Sequence, residues 1–231
     1  MAKAKQEASQ ETENIKKRIN AFICGKGKNN GRKPDERYSS FDYCYNYFYG
    51  YYQNKKVKDI ATEENMQTSC MQLGFYLASW GMLRNSFLLE RSLAYYKPII
   101  EVISKAENQL WEIDVDKYNQ NNIEMLLDIK REIAGAFRKD DKPSETLISK
   151  IMLGVFANTP AFDQYFKKSI QVSGLNKSAI KKITAFYERN KALIDSYKIK
   201  TFDYSSGKET GLYYSKAKII DMYGFSDGKE T

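Results

Sequence analysis

A chain of 231 residues, 42% of them apolar, is long enough for one large domain with a real core. It contains no histidine, which excludes histidine-dependent triads, histidine-ligated metals and imidazole acid–base chemistry. Its three cysteines, Cys24, Cys44 and Cys70, lack CxxC spacing; they argue against a disulfide framework or a structural zinc site and fit a reduced, cytoplasmic chain.

The formal net charge of +8 is unevenly spread. Residues 1–37 carry 10 Lys/Arg against 5 Asp/Glu, residues 167–200 carry 9 against 2, and the remainder is mildly acidic. Two basic regions on an acidic body point to a polyanion, nucleic acid being the commonest; a solvated basic face is the alternative. The polar opening (MAKAKQEASQETEN) does not read as a signal peptide, and no apolar run approaches the roughly 20 residues that span a bilayer, so no membrane partner is expected.

In chain order, residues 1–36 read as a basic arm and loop and residues 37–231 as a single helical domain. Residues 1–14 are polar, and 15–23 suit a short helix with Ile15, Ile19, Phe22 and Ile23 inward. The loop GKGKNNGRKP follows, with Lys26, Lys28, Arg32 and Lys33 as candidate phosphate contacts. It lacks GxxxxGK[ST] spacing and follows no strand, so it is not a phosphate loop. Residues 37–53 (RYSSFDYCYNYFYGYYQ) form an aromatic belt, with Phe41, Tyr45, Phe48 and Tyr52 at helical spacing. Such a stripe is a core helix or a ring-stacking surface.

Residues 68–89 are the most apolar segment and predict the central helix of the core, with Leu73, Tyr76, Leu77, Trp80 and Leu83 on one stripe. Arg84, inside that segment, calls for a carboxylate or carbonyl partner, a structural ion pair before a carbonyl. Pro98 opens or kinks a helix, and residues 121–137 are amphipathic. Residues 144–170 (SETLISKIMLGVFANTPAFDQYFKKSI) read as an apolar helix capped by Ser144, a break at Asn158-Thr159-Pro160, and a second helix starting near Pro160 with Asp163 in its first turn. Residues 176–197 are helical, 201–215 a loop or small hairpin, and 214–223 a closing helix followed by loose residues. The fold class is mainly α, a globular multi-helix domain.

Four segments, RYSSFDYCYNYF, LGFYLASWGMLRNSFLL, LISKIMLGVFANTPAFDQYF and KIIDMYGF, resemble a family of bacterial proteins of this length to which no activity attaches. Thr146-Leu147 through Phe156, followed by Thr159-Pro160-Ala161-Phe162-Asp163, is similar to the helix–Pro–Asp element of the helix-hairpin-helix DNA glycosylase superfamily. That likeness implies a catalytic carboxylate at Asp163, at a helix N-terminus facing a flipped nucleotide, and a hairpin within residues 137–145. The glycine-rich hairpin is absent, with Lys139 to Ser144 in its place. Glu145 stands where the Schiff-base lysine of lyase-type members falls, unless Lys142 or Lys150 substitutes.

A base-excision enzyme needs an extruded base, a pocket that stacks it, a cationic surface and a carboxylate that steadies a cationic sugar. Asp163 fits the last role; Lys167, Lys168, Lys177, Lys181 and Lys182 fit phosphates; Tyr45, Tyr49, Tyr76 and Trp80 fit the pocket. No cofactor and no metal are called for. The expected partner is nucleic acid, DNA before RNA. The competing reading is a non-catalytic helical module that binds nucleic acid or a protein, in which Asp163 is a helix cap or an ion-pair member. A bacterial defence or counter-defence setting suits both.

Overall fold

The computed structural model describes the backbone of residues 2–24 and 31–230 and the side chains of residues 10–24 and 31–229. Helices dominate, in the order α1 (Ala2–Cys24), α2 (Ser40–Gln53), α3 (Glu63–Ser79), α4 (Lys97–Ser104), α5 (Gln120–Gly135), α6 (Glu145–Phe156), α7 (Gln164–Ile170), α8 (Lys177–Ser196) and α9 (Lys216–Glu230). Between α8 and α9, β1 (Lys200–Phe202) and β2 (Glu209–Tyr213) pair antiparallel, Lys200 opposite Tyr213 and Phe202 opposite Glu209.

The helix starts follow from side chains that satisfy free backbone N–H groups. Asn119 accepts from Asn122 N at 2.9 Å, Ser144 from Leu147 N at 3.1 Å, and Asn176 from Ala179 N at 2.9 Å. Pro98 lies in the first turn of α4, where its missing N–H costs nothing, so it opens that helix.

The centre of the core is α6, not the segment after residue 68. Ten consecutive residues of α6, Leu147 to Phe156, are buried. The apolar run from residue 68 stops being helical at Ser79, because Gly81 adopts a left-handed turn at φ +76°. Helix α6 contacts α2, α3 and α5. At Gly154 the ring of Tyr76 packs so closely that a Cβ would collide with it.

Helix α6 ends at Ala157, which takes a left-handed conformation (φ 51°) ahead of Asn158-Thr159-Pro160. The next helix does not begin at Pro160. Residues 158–163 run without regular structure, and α7 starts at Gln164 with Asp163 as its N-cap. The closing helix extends through Glu230, past the point where loose residues were expected. It packs on α1, α7 and α8. Gly224 faces the ring of Phe166 and Gly228 the carbonyl of Tyr165, so closely that no Cβ would fit. Ile15, Ile19 and Phe22 of α1 are buried in the same core as the rest of the chain.

Candidate nucleic-acid site

Helix α6 carries one charged side chain, Lys150, in its buried run. Lys150 is 4% exposed, and its Nζ lies 3.5 Å from Oδ2 of Asp163. Asp163 reaches that point as the cap of α7, its Oδ1 accepting from Tyr165 N at 3.0 Å and Phe166 N at 2.9 Å. Oδ1 is therefore saturated by backbone donors. Oδ2 has one long contact, at the outer limit of a hydrogen bond, and keeps accepting capacity.

Both side chains line a cleft of about 450 Å³, within the range that holds small organic groups. Trp80, Tyr165 and Phe225 form aromatic wall, and Thr146 and Gln164 supply polar wall. Trp80 belongs to an aromatic cluster: Tyr38, Phe225 and Phe22 have ring centroids 5.5, 5.8 and 6.1 Å from its own. Cations approach the same indole, with Lys150 Nζ at 4.7 Å, Lys218 Nζ at 5.2 Å and Arg37 Cζ at 5.4 Å from the ring centroid.

Arg37, Arg84 and Lys229 complete the rim, all exposed and with no carboxylate partner among the described residues. Arg84 thus departs from the ion pair expected of it. The Gly81 turn ends α3 and carries Arg84 out of the apolar segment to the cleft mouth, where water solvates it. Among the described residues of the lining, Asp163 is the one carboxylate against four cations, Arg37, Arg84, Lys150 and Lys229, so this set is net positive.

Behind Trp80 sits a second buried lysine. Lys218 is 1% exposed, with Nζ 2.9 Å from Asp221 Oδ2 and within 5 Å of the ring centroids of Phe22 and Phe41. Burial pushes its ammonium below the usual lysine range, against the pull of Asp221. Asp221 Oδ1 accepts from Ala161 N at 3.0 Å.

The other expected site residues are dispersed. Tyr76 is 1% exposed and packs on Gly154 inside the core; it does not line the Trp80 cleft, and burial raises its hydroxyl well above the usual tyrosine range. Tyr45 and Tyr49 line a different cleft, about 550 Å³, beside Tyr52, Trp111 and Tyr213 near the other end of α6. Arg32 is not available to phosphates. Its guanidinium is buried against Asp42 (2.7 Å) and accepted by Lys200 O and Tyr214, because the buried Asp42 carboxylate requires a cation. Lys33 is exposed, and Lys26 and Lys28 lie outside the described residues.

None of the five candidate lysines after Asp163 lines the Trp80 cleft. Lys168 and Lys181 are exposed, Lys167 is half-buried in the last turn of α7, and Lys182 donates to Gln171 O at 2.6 Å just past that helix. Lys177 pairs with Glu124. Sequence reasoning passed over Arg37, Lys229 and Phe225 as site members; only Lys150, a charge within a buried apolar run, carried a visible signal.

Among the described residues, no group of three His, Cys, Asp or Glu side chains could hold a metal ion, and no helix is long and apolar enough to cross a membrane. The chain matches no protein-family model, no curated protein and no solved structure.

Proposed function

We propose that the protein binds nucleic acid, takes one nucleotide into the Trp80 cleft, and acts there as a DNA glycosylase-like base-excision enzyme through Asp163. The observation that carries this reading is the position of Asp163: its underused Oδ2 opens to a cleft with aromatic walls and three rim cations that have no carboxylate partner among the described residues. A base is held by ring contacts that any nucleobase can make. The neighbouring phosphates meet Arg37, Arg84 and Lys229.

In the reaction, the bond between the sugar anomeric carbon and the base nitrogen breaks, and its electron pair leaves with the base. The sugar becomes cationic, and the Asp163 carboxylate steadies it. Water then bonds to the anomeric carbon; one of its protons is lost to the carboxylate or solvent, and the departing base gains one. The succession of α6, an irregular link and a capping aspartate follows the order implied by the helix-hairpin-helix resemblance, whereas the connection from α5 to α6 carries no glycine-rich turn.

One observation favours the non-catalytic reading. Asp163 already caps α7 and pairs with Lys150, uses that account for a carboxylate without chemistry. The test is incubation of the protein with DNA containing modified and unmodified bases, followed by scoring of abasic sites. The enzyme reading expects sites that disappear in Asp163→Asn while DNA binding persists. Binding with no abasic product across the panel would leave a binding module.

A further inference from the structure

Lys218 and Asp221 take no part in the chemistry above, yet they form a buried ion pair between the two walls of the cleft. Such pairs seldom exist for stability, since desolvation offsets their attraction and apolar replacements are often as stable. Their placement gives a different reason.

The wall that carries Asp163 is an irregular link with no helix or strand to fix it. Side chains fix it instead. Asp221 Oδ1 accepts from Ala161 N at 3.0 Å, Ser149 Oγ from Phe162 N at 2.7 Å, and Thr146 Oγ1 donates to Phe162 O at 2.9 Å. Ser149 and Thr146 belong to α6; Asp221 alone of the three ties the link to α9. Ala161 is fully buried, so without Asp221 its N–H would lack a partner. The opposite wall is Trp80, and the Lys218 ammonium that holds Asp221 also lies 5.2 Å from that indole.

We propose that Asp221 is a positioning residue that sets Asp163 against Trp80: its Oδ1 pins the link two residues before the carboxylate, and Lys218 serves only to neutralise the buried charge of that pin. This rests on the nucleotide-cleft reading for its function, though not for its geometry. The Asp221 acceptor holds the wall in register, so a ligand spanning both walls meets a preformed gap.

Two double variants test this. K218M/D221N removes both charges and keeps an acceptor for Ala161 N–H; K218M/D221L removes the acceptor as well. Amide hydrogen exchange and binding of a single-stranded oligonucleotide are measured on each. K218M/D221L is expected to lose protection at Ala161 and at least tenfold in affinity, and K218M/D221N to keep Ala161 protected and bind within threefold of wild type. If K218M/D221L does not fold, K218M/D221A carries the same expectation with a smaller side chain. Wild-type protection at Ala161 in the variant without an acceptor overturns the proposal, as does equal loss of affinity in both variants. If wild-type protein binds no oligonucleotide, the nucleic-acid reading fails alone, and the exchange measurement still decides the positioning role.

Discussion

Replacing Arg37, Arg84 and Lys229 together by glutamine removes the rim cations that lack a carboxylate partner among the described residues. All three are exposed, so the fold should tolerate the change. Each phosphate neutralised on a single strand contributes a slope of about −0.7 to log affinity against log salt. Three contacts give a slope near −2, or roughly an 18-fold loss of affinity between about 50 and 200 mM salt. On the proposed reading, ring stacking of about 1–3 kcal/mol per base would fall to Trp80, Tyr165 and Phe225 and should survive the substitutions. The triple variant should therefore bind weakly with a much flatter salt response. Fluorescence anisotropy of a labelled strand of about a dozen nucleotides, titrated at several salt concentrations, measures both slopes. A wild-type affinity indifferent to salt, or a triple variant with an unchanged slope, refutes the placement of the phosphates on this rim.

Gly154→Ala places a methyl group in the ring of the fully buried Tyr76 and should cost about 1–3 kcal/mol, seen as a fall in Tm by calorimetry; an unchanged Tm would show that α6 and α3 can separate freely. Asp163→Asn keeps a good helix cap, whereas Asp163→Ala loses about 1 kcal/mol at the N-terminus of α7 and strands Lys150 beside it, so thermal melts should rank Ala below Asn; equal melting temperatures would contradict the cap. Lys218 gives a pH signature. Its folded-state pKa lies below the ordinary 10.5, so between the two values the unfolded chain binds more protons and stability rises with pH. The stability of wild type relative to K218M/D221N should therefore climb as pH rises toward 10.5, and a constant difference in denaturant midpoints across that window argues against a destabilised ammonium.

Much of the helical layout was legible because local chemistry decides it. Ser144 was legible as the cap of its helix, and of the two roles open to Pro98, opening a helix or kinking one, the structure has it open α4. The boundary after Ser79 was not legible. Residues 68–89 keep a helical stripe in sequence, but Gly81 takes a positive φ and turns the chain, which delivers Trp80 and Arg84 to the cleft rather than to a core helix. Asp163 was readable as a first-turn acid and Lys150 as a charge in a mostly apolar run; their meeting, and the other neighbours, were not. Arg37, Lys150 and the α9 residues Phe225 and Lys229 come from three segments that meet only in the folded chain, a long-range event that no periodicity encodes. The many exposed lysines after residue 166 drew attention by charge alone, and none of the candidates among them lines the cleft.

The chain has two tryptophans, so each can be made the only reporter. In a Trp111→Phe background, adding a single-stranded oligonucleotide should change the emission of Trp80 with the same midpoint that anisotropy gives. Anisotropy that rises while Trp80 stays silent would place the nucleic acid elsewhere on the surface and remove Asp163 from its path.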